Sequence, residues 1–216
     1  MEKPFRDIPD GTRLIETMLW RPGTGVALAR RHRDRLCLSA RRLGFGFDPA
    51  GFDAELAGVV GDAPQRLRLT SDRAGRLELT SHPVPATADR WRVAIAPVQL
   101  NSGNAWLRVK STQRQLYDQT RAALPKGIDE AVFLNDRGHA CEGTITNLMI
   151  ARDGGWITPP LSDGVLPGVM RAELLARGEM RVAAITEADL RAAPRIRLCN
   201  ALRGVIEVAE LAPWTV

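Results

Sequence analysis

The chain has 216 residues, 44% hydrophobic and 25% charged, which supports a folded core and excludes disorder, collagen and coiled coil as the main architecture. The formal net charge is +5 and the pI about 9.7, but the basic residues are spread among 25 acids and only 5% of residues are aromatic. That pattern points to anionic small molecules rather than nucleic acid. Three widely spaced cysteines (Cys37, Cys141, Cys199), scattered histidines and a charged start, MEKPFRDIPDG, predict a protein of a reducing cytoplasm with no metal centre, signal peptide or membrane span.

The first predicted element is a strand over 13–19, followed by the turn RPGTG. A helix over 31–43 follows, with Leu36, Ala40 and Leu43 on one face, Arg35, Ser39 and Arg42 on another, and Gly44 at its end. A short helix is expected over 53–60. Strands over 66–71 and 76–81 form a hairpin through Asp72–Gly75. Residues 82–89, with two prolines, read as a linker, so the sequence predicts domains 1–86 and 87–216.

The second half opens with a strand over 91–97 and an irregular stretch rich in Asn, Ser and Gly. A helix over 112–124 comes next. Strands over 130–135 and 139–142 flank the turn Asp136–Gly138, and strands over 146–152 and 156–158 flank Asp153–Gly155. Pro167 is expected to open a helix that runs to Arg177, with Gly178 after it. Strands over 195–200 and 204–209 close the chain. The fold class is α+β, with a small N-terminal α/β sandwich and a larger, β-rich α/β domain.

Of the 30 basic residues only Lys3, Lys110 and Lys126 are lysines. Arginine stays protonated and cannot act as an amine nucleophile, whereas lysine can. Lys110, in KSTQRQLYD, therefore stands out beside Glu142 in CEGTITN, Arg35 on the first helix and the helix start LPGVMR. Each alone has an ordinary reading: a solvated helix-start lysine, a turn-capping carboxylate, a surface arginine, one helix N-terminus among several. Together, an amine, a carboxylate, a guanidinium and free backbone N–H groups are the parts needed to hold pyridoxal phosphate.

RLIETM (13–18), HRDRLCLSARRLGF (32–45), KSTQRQLYD (110–118), DEAVFLNDRGHACEGTITNLMI (129–150), TPPLSDGVLPGVMR (158–171) and CNALRG (199–204) resemble, in order, the class IV aminotransferase family, fold type IV of the pyridoxal phosphate enzymes. The resemblance implies Lys110 as the Schiff-base lysine, Glu142 as partner of the pyridine nitrogen and Arg35 as a phosphate ligand. It implies Gly168, Val169 and Met170, with Asn200 and Ala201, as the phosphate cup, and Tyr117 near the cofactor's hydroxyl. CNALRG, KSTQRQLYD and TPPLSDGVLPG resemble the family's 4-amino-4-deoxychorismate lyases, in which Thr17 matches an assisting threonine. The chain starts at what resembles the family's third strand, without the opening hairpin. Arg68 and Arg203 are the expected anchors for substrate carboxylates.

The expected activity is a lyase reaction that releases pyruvate and leaves 4-aminobenzoate. The alternative is a class IV aminotransferase of branched-chain or D-amino acid type, passing an amino group to a 2-keto acid. A non-enzymatic anion- or cofactor-binding protein is the third reading. The expected partners are a small anionic amine or amino acid and a second copy of the chain, with neither nucleic acid nor membrane.

Overall fold

The computed structural model describes Phe5 and residues 7–215; Lys3 lies outside the described residues. The chain divides into two units, one of Met1–Ala86 with Val109–Gln113 and one of Thr87–Arg108 with Arg114–Val216.

The first unit contains β1 (Leu14–Arg21), β2 (Gly25–Val26), α1 (Ala29–Leu43), α2 (Pro49–Ala57), β3 (Gln65–Ser71) and β4 (Leu77–Pro83). The strands form one antiparallel sheet in the order β2-β1-β3-β4. Glu16 and Met18 lie opposite Leu69 and Leu67, all of them buried. Strand alternation then puts Ile15, Thr17 and Leu19 on the other face, opposite Thr70, Arg68 and Arg66. Helix α1 buries His32, Leu36, Ser39, Ala40 and Leu43 and ends at Gly44, whose φ of 69° is open to glycine without strain.

Three features of this unit differ from those expected. Helix α2 starts at Pro49 rather than 53, because the Asp48 side chain accepts from Ala50 N (2.9 Å) and proline suits the first helical position. Ser39, expected on the polar face of α1, is buried, and the Arg35 side chain is only 10% exposed. Residues 109–113, expected with the second half, pack with the first unit: Ile15 N donates to Lys110 O (2.8 Å) and Thr112 N to Arg13 O (2.9 Å).

The second unit contains β5 (Arg90–Ile95), α3 (Gln115–Ala122), β6 (Glu130–Leu134), β7 (Ala140–Gly143), β8 (Asn147–Arg152), β9 (Gly155–Thr158), α4 (Val169–Ala176), β10 (Arg181–Val182), α5 (Glu187–Ala192), β11 (Ile196–Asn200) and β12 (Gly204–Ala212). The sheet order is β10-β9-β8-β11-β12-β5-β6-β7, and an added β7–β8 pairing closes six of these strands into a ring. Closure covers the edge at β7, and its single register pair is Glu142 opposite Asn147.

Strand β6 is buried at every position: Val132 and Leu134 pack with Leu148, Ile150 and Leu198, while Ala131 and Phe133 pack with Leu100, Leu107 and Val165. A strand covered on both faces reads as a continuous apolar run, which EAVFL is except at its first residue. Asp153 (φ 54°) and Gly154 (φ 75°) form the two-residue β8–β9 turn, the conformation that Asp-Gly favours. Helix α5 was not expected; it starts with a Thr186–Asp189 capping box in the sequence TEADL.

Two helix starts also shift. Helix α3 begins at Gln115, three residues later than expected, because Ser111 is held in a bridge to Leu14 and Thr112 is tied to Arg13. Lys110 is therefore half-buried in an extended segment and not at a helix start. Pro167 precedes α4 instead of opening it, and Gly168, with φ −67° and ψ 142°, is the residue at the helix boundary.

Candidate active site

Glu142 is the most elaborately held of the expected residues. It sits at the end of β7, 4% exposed. Its Oε1 accepts from the Tyr117 hydroxyl (2.7 Å), and its Oε2 from Asn147 Nδ2 (3.1 Å) and Leu166 N (2.9 Å). Donors directed at both oxygens offset the cost of burying the charge and fix the plane of the carboxylate. Tyr117, the chain's only tyrosine, packs edge-on against Phe133. Burial, then the charge of Glu142 and the hydrogen bond to it, raise its hydroxyl well above the ordinary value of 10.0, so it stays a donor at neutral pH. The resemblance expects Tyr117 beside the cofactor's hydroxyl; its own hydroxyl is on the Glu142 carboxylate.

Asn147 was missed by sequence reading, and it links two parts of the site. Besides donating to Glu142, its amide donates to Leu166 O (3.0 Å). Its Oδ1 is pressed against Gly168, where any added Cβ would collide with it. The start of α4 is thereby tied to Glu142. The first bond within α4 runs from Ala172 N to Gly168 O (2.9 Å), so the N–H groups of Val169, Met170 and Arg171 are the helix's orphan donors. An anion is stabilised at such an end. Asn200 is turned to local use: its Oδ1 accepts from Leu202 N (3.1 Å) and Arg203 N (2.8 Å), which shapes the turn at Ala201 between β11 and β12. The Arg203 guanidinium lies 5.5 Å from the centroid of the Trp91 ring.

In the first unit, the bridge between Leu14 and Ser111 sets a register that puts Lys110 opposite Ile15. Lys110 thus shares a face with Thr17 and with Arg68, the cross-strand partner of Thr17. Arg35 lies on the helix-covered face. Its Nε donates to Glu16 Oε1 (2.9 Å) and its Nη2 to Oε2 (2.5 Å), while His32 Nδ1 lies 2.5 Å from Oε2. Glu16 and His32 are both fully enclosed, and His32 Nε2 is buried with no hydrogen-bond partner.

Burial would raise the Glu16 carboxyl; the charges of Arg35 and His32, with their hydrogen bonds, outweigh it and hold the group at about 2. A carboxyl lowered from 4.5 to about 2 contributes stability that is fully present above 4.5 and is lost as pH falls towards 2. Urea unfolding at a series of pH values should show wild-type stability falling across that window. Glu16→Gln should be destabilised by about 3 kcal/mol at neutral pH, because Arg35 loses its charge partner, and should show a weaker fall in acid. Equal slopes would contradict this origin.

Cys141 and Cys199 are buried thiols with raised pKa values, that of Cys199 pushed up to about 12 mainly by desolvation. Among the described residues there is no group of three or more His, Cys, Asp or Glu able to hold a metal, and no helix long and apolar enough to cross a membrane.

A closed β unit that clamps a carboxylate beside a helix N-terminus, on a chain with one lysine pinned in an extended segment, defines the class. Residues 13–211 match the amino-transferase class IV family, and the chain belongs to that family, whose enzymes depend on pyridoxal phosphate and act on amino-acid-like substrates. The fold is that of fold type IV enzymes.

Among particular proteins, the chain is similar to a provisionally named amino-acid aminotransferase from Mesorhizobium loti, with 38% identity over 93% of this chain and 100% of that one and a TM-score of 0.85. It is similar to 4-amino-4-deoxychorismate lyase from Pseudomonas aeruginosa, with 28% identity over 94% of this chain and 84% of that one and a TM-score of 0.80. A provisionally named aminodeoxychorismate lyase of Schizosaccharomyces pombe is 29% identical over 77% of this chain and 74% of its own length.

Proposed function

We propose that this chain is a pyridoxal phosphate-dependent lyase of the aminodeoxychorismate lyase type, converting 4-amino-4-deoxychorismate to 4-aminobenzoate and pyruvate. The observation that carries the reading is the register of the first sheet, in which Lys110, Thr17 and Arg68 share one face. An amine to move a proton, a hydroxyl to assist and a guanidinium to take a carboxylate are what this elimination asks of the protein. The similarity to lyases over most of the chain supports it.

The donor set fits the cofactor. Glu142 would meet the ring nitrogen as an anion, the free N–H groups of Val169 and Met170 at the Gly168 boundary and the Asn200–Ala201 turn would hold the phosphate, and Arg35, as the family resemblance implies, would be a further phosphate ligand. The bound cofactor supplies an electron sink for the carbanion at the reacting carbon. Lys110 holds the cofactor and moves the proton at the substrate's C4. Thr17 orients the departing enolpyruvyl group. Arg68 pairs with a substrate carboxylate, and Glu16 with His32 keeps the Arg35 guanidinium from rotating away. The working species in this reading is a cytoplasmic homodimer.

The test is steady-state release of pyruvate and 4-aminobenzoate from aminodeoxychorismate. Arg68→Ala should raise KM about tenfold, near 1.4 kcal/mol of lost binding, with the cofactor spectrum unchanged. An unaltered KM would remove Arg68 as an anchor. The second reading, an aminotransferase, is favoured by the 38% identity to the Mesorhizobium loti protein. Incubation with an amino acid alone separates the two: stoichiometric conversion of the cofactor to its amine form marks the aminotransferase.

A further inference from the structure

Glu130 is a second carboxylate in the β7–β8 region that the mechanism does not use. It heads β6 and has no solvent exposure, yet most of its donors come from the link that joins β7 to β8. Its Oε1 accepts from Thr144 N (3.0 Å), Thr144 Oγ1 (2.5 Å) and Ala131 N (3.0 Å). Its Oε2 accepts from Ile145 N (3.1 Å) and Thr146 Oγ1 (3.1 Å). Arg121 Nη1 is 3.5 Å from Oε1 and donates to Thr144 Oγ1 (3.1 Å). Gly143 begins the link, and a Cβ there would meet the Glu130 carboxyl carbon at 2.9 Å.

The two ends of this link are Glu142 and Asn147, the one register pair that closes the strand ring and whose side chains bond each other. A buried charge is a poor device for stability alone, since an apolar side chain of similar volume commonly serves as well. A carboxylate that takes both backbone and hydroxyl donors from one turn instead fixes that turn in a single shape. We propose that Glu130 is a positioning residue: by clamping the 144–146 turn it sets the place and plane of the Glu142 carboxylate. The proposal rests on the reading of Glu142 as the partner of the cofactor's ring nitrogen.

Tyr117 provides a probe that needs no cofactor. Its hydroxyl donates to Glu142 Oε1 and it is the sole tyrosine, so protein labelled at the tyrosine Cζ gives one carbon resonance that reports on the Glu142 carboxylate. In cofactor-free protein, Glu142→Gln gives the reference displacement of that resonance. Glu130→Gln, which faces one set of turn donors with an amide N–H₂, should reproduce most of that displacement with an unchanged circular dichroism spectrum. In the loaded enzyme it should lower kcat by about a hundredfold, the order expected for a displaced catalytic group, with KM little changed.

A Tyr117 resonance at the wild-type position in Glu130→Gln would overturn the proposal. Should that variant fail to fold, Thr146→Val keeps the Glu130 charge and removes one donor; it must move the resonance in the same direction, and a resonance left at the wild-type position would overturn the proposal equally. If the resonance moves but Glu142→Gln retains full turnover, the positioning stands and the cofactor role of Glu142 falls.

Discussion

Lys110→Ala should purify without the yellow, borohydride-reducible chromophore of the wild type, and its turnover should fall by on the order of a thousandfold or more, about 4 kcal/mol in the barrier. The fold should survive, because the segment is held by its backbone: Ile15 N on Lys110 O and the Leu14–Ser111 bridge do not involve the amine. Lys110→Arg should fail equally, since retained charge does not restore a nucleophile. Absorbance, reduction with borohydride and thermal melting decide it; a yellow, reducible Lys110→Ala protein would move the cofactor to another lysine.

Glu142→Gln should keep the cofactor and lose turnover by on the order of a hundredfold or more, because a neutral amide does not stabilise a protonated ring nitrogen. A second effect follows from the local geometry. Tyr117 Oη, Asn147 Nδ2 and Leu166 N all donate to this carboxylate, so an amide N–H₂ must oppose at least one of them. That mismatch should lower stability by about 1–3 kcal/mol. Kinetics and urea unfolding measure the two effects separately. Wild-type turnover with lowered stability would make Glu142 structural only.

The sequence foretold elements wherever the signal is local. Alternation with Asp-Gly or Asp-x-x-Gly turns located the hairpins, and the apolar face of α1 together with Gly44 located that helix. Non-local ties defeated it elsewhere. Helix α3 starts late because β1 takes residues 110–112 first, a pairing across nearly 100 positions. Arg35 looked solvated because its partner, Glu16, stands 19 residues earlier on a strand.

The candidate site was legible as residue types but not as supports. Glu142 and the helix start were visible as motifs, whereas Asn147 and Glu130 act through bonds that only the closed strand ring creates. One signal was available for two of the missed residues. Glu16 in LIETMLW and Glu130 in DEAVFL are acids at the edge of, or within, apolar strands, and a carboxylate so placed must find partners when buried.

If this chain carries pyridoxal phosphate on Lys110, peptide mapping of borohydride-reduced, cofactor-loaded wild-type protein should find one phosphopyridoxyl group per chain, on the peptide that contains Lys110. Label on Lys3 or Lys126 instead, or a chain that takes up none, would contradict that assignment.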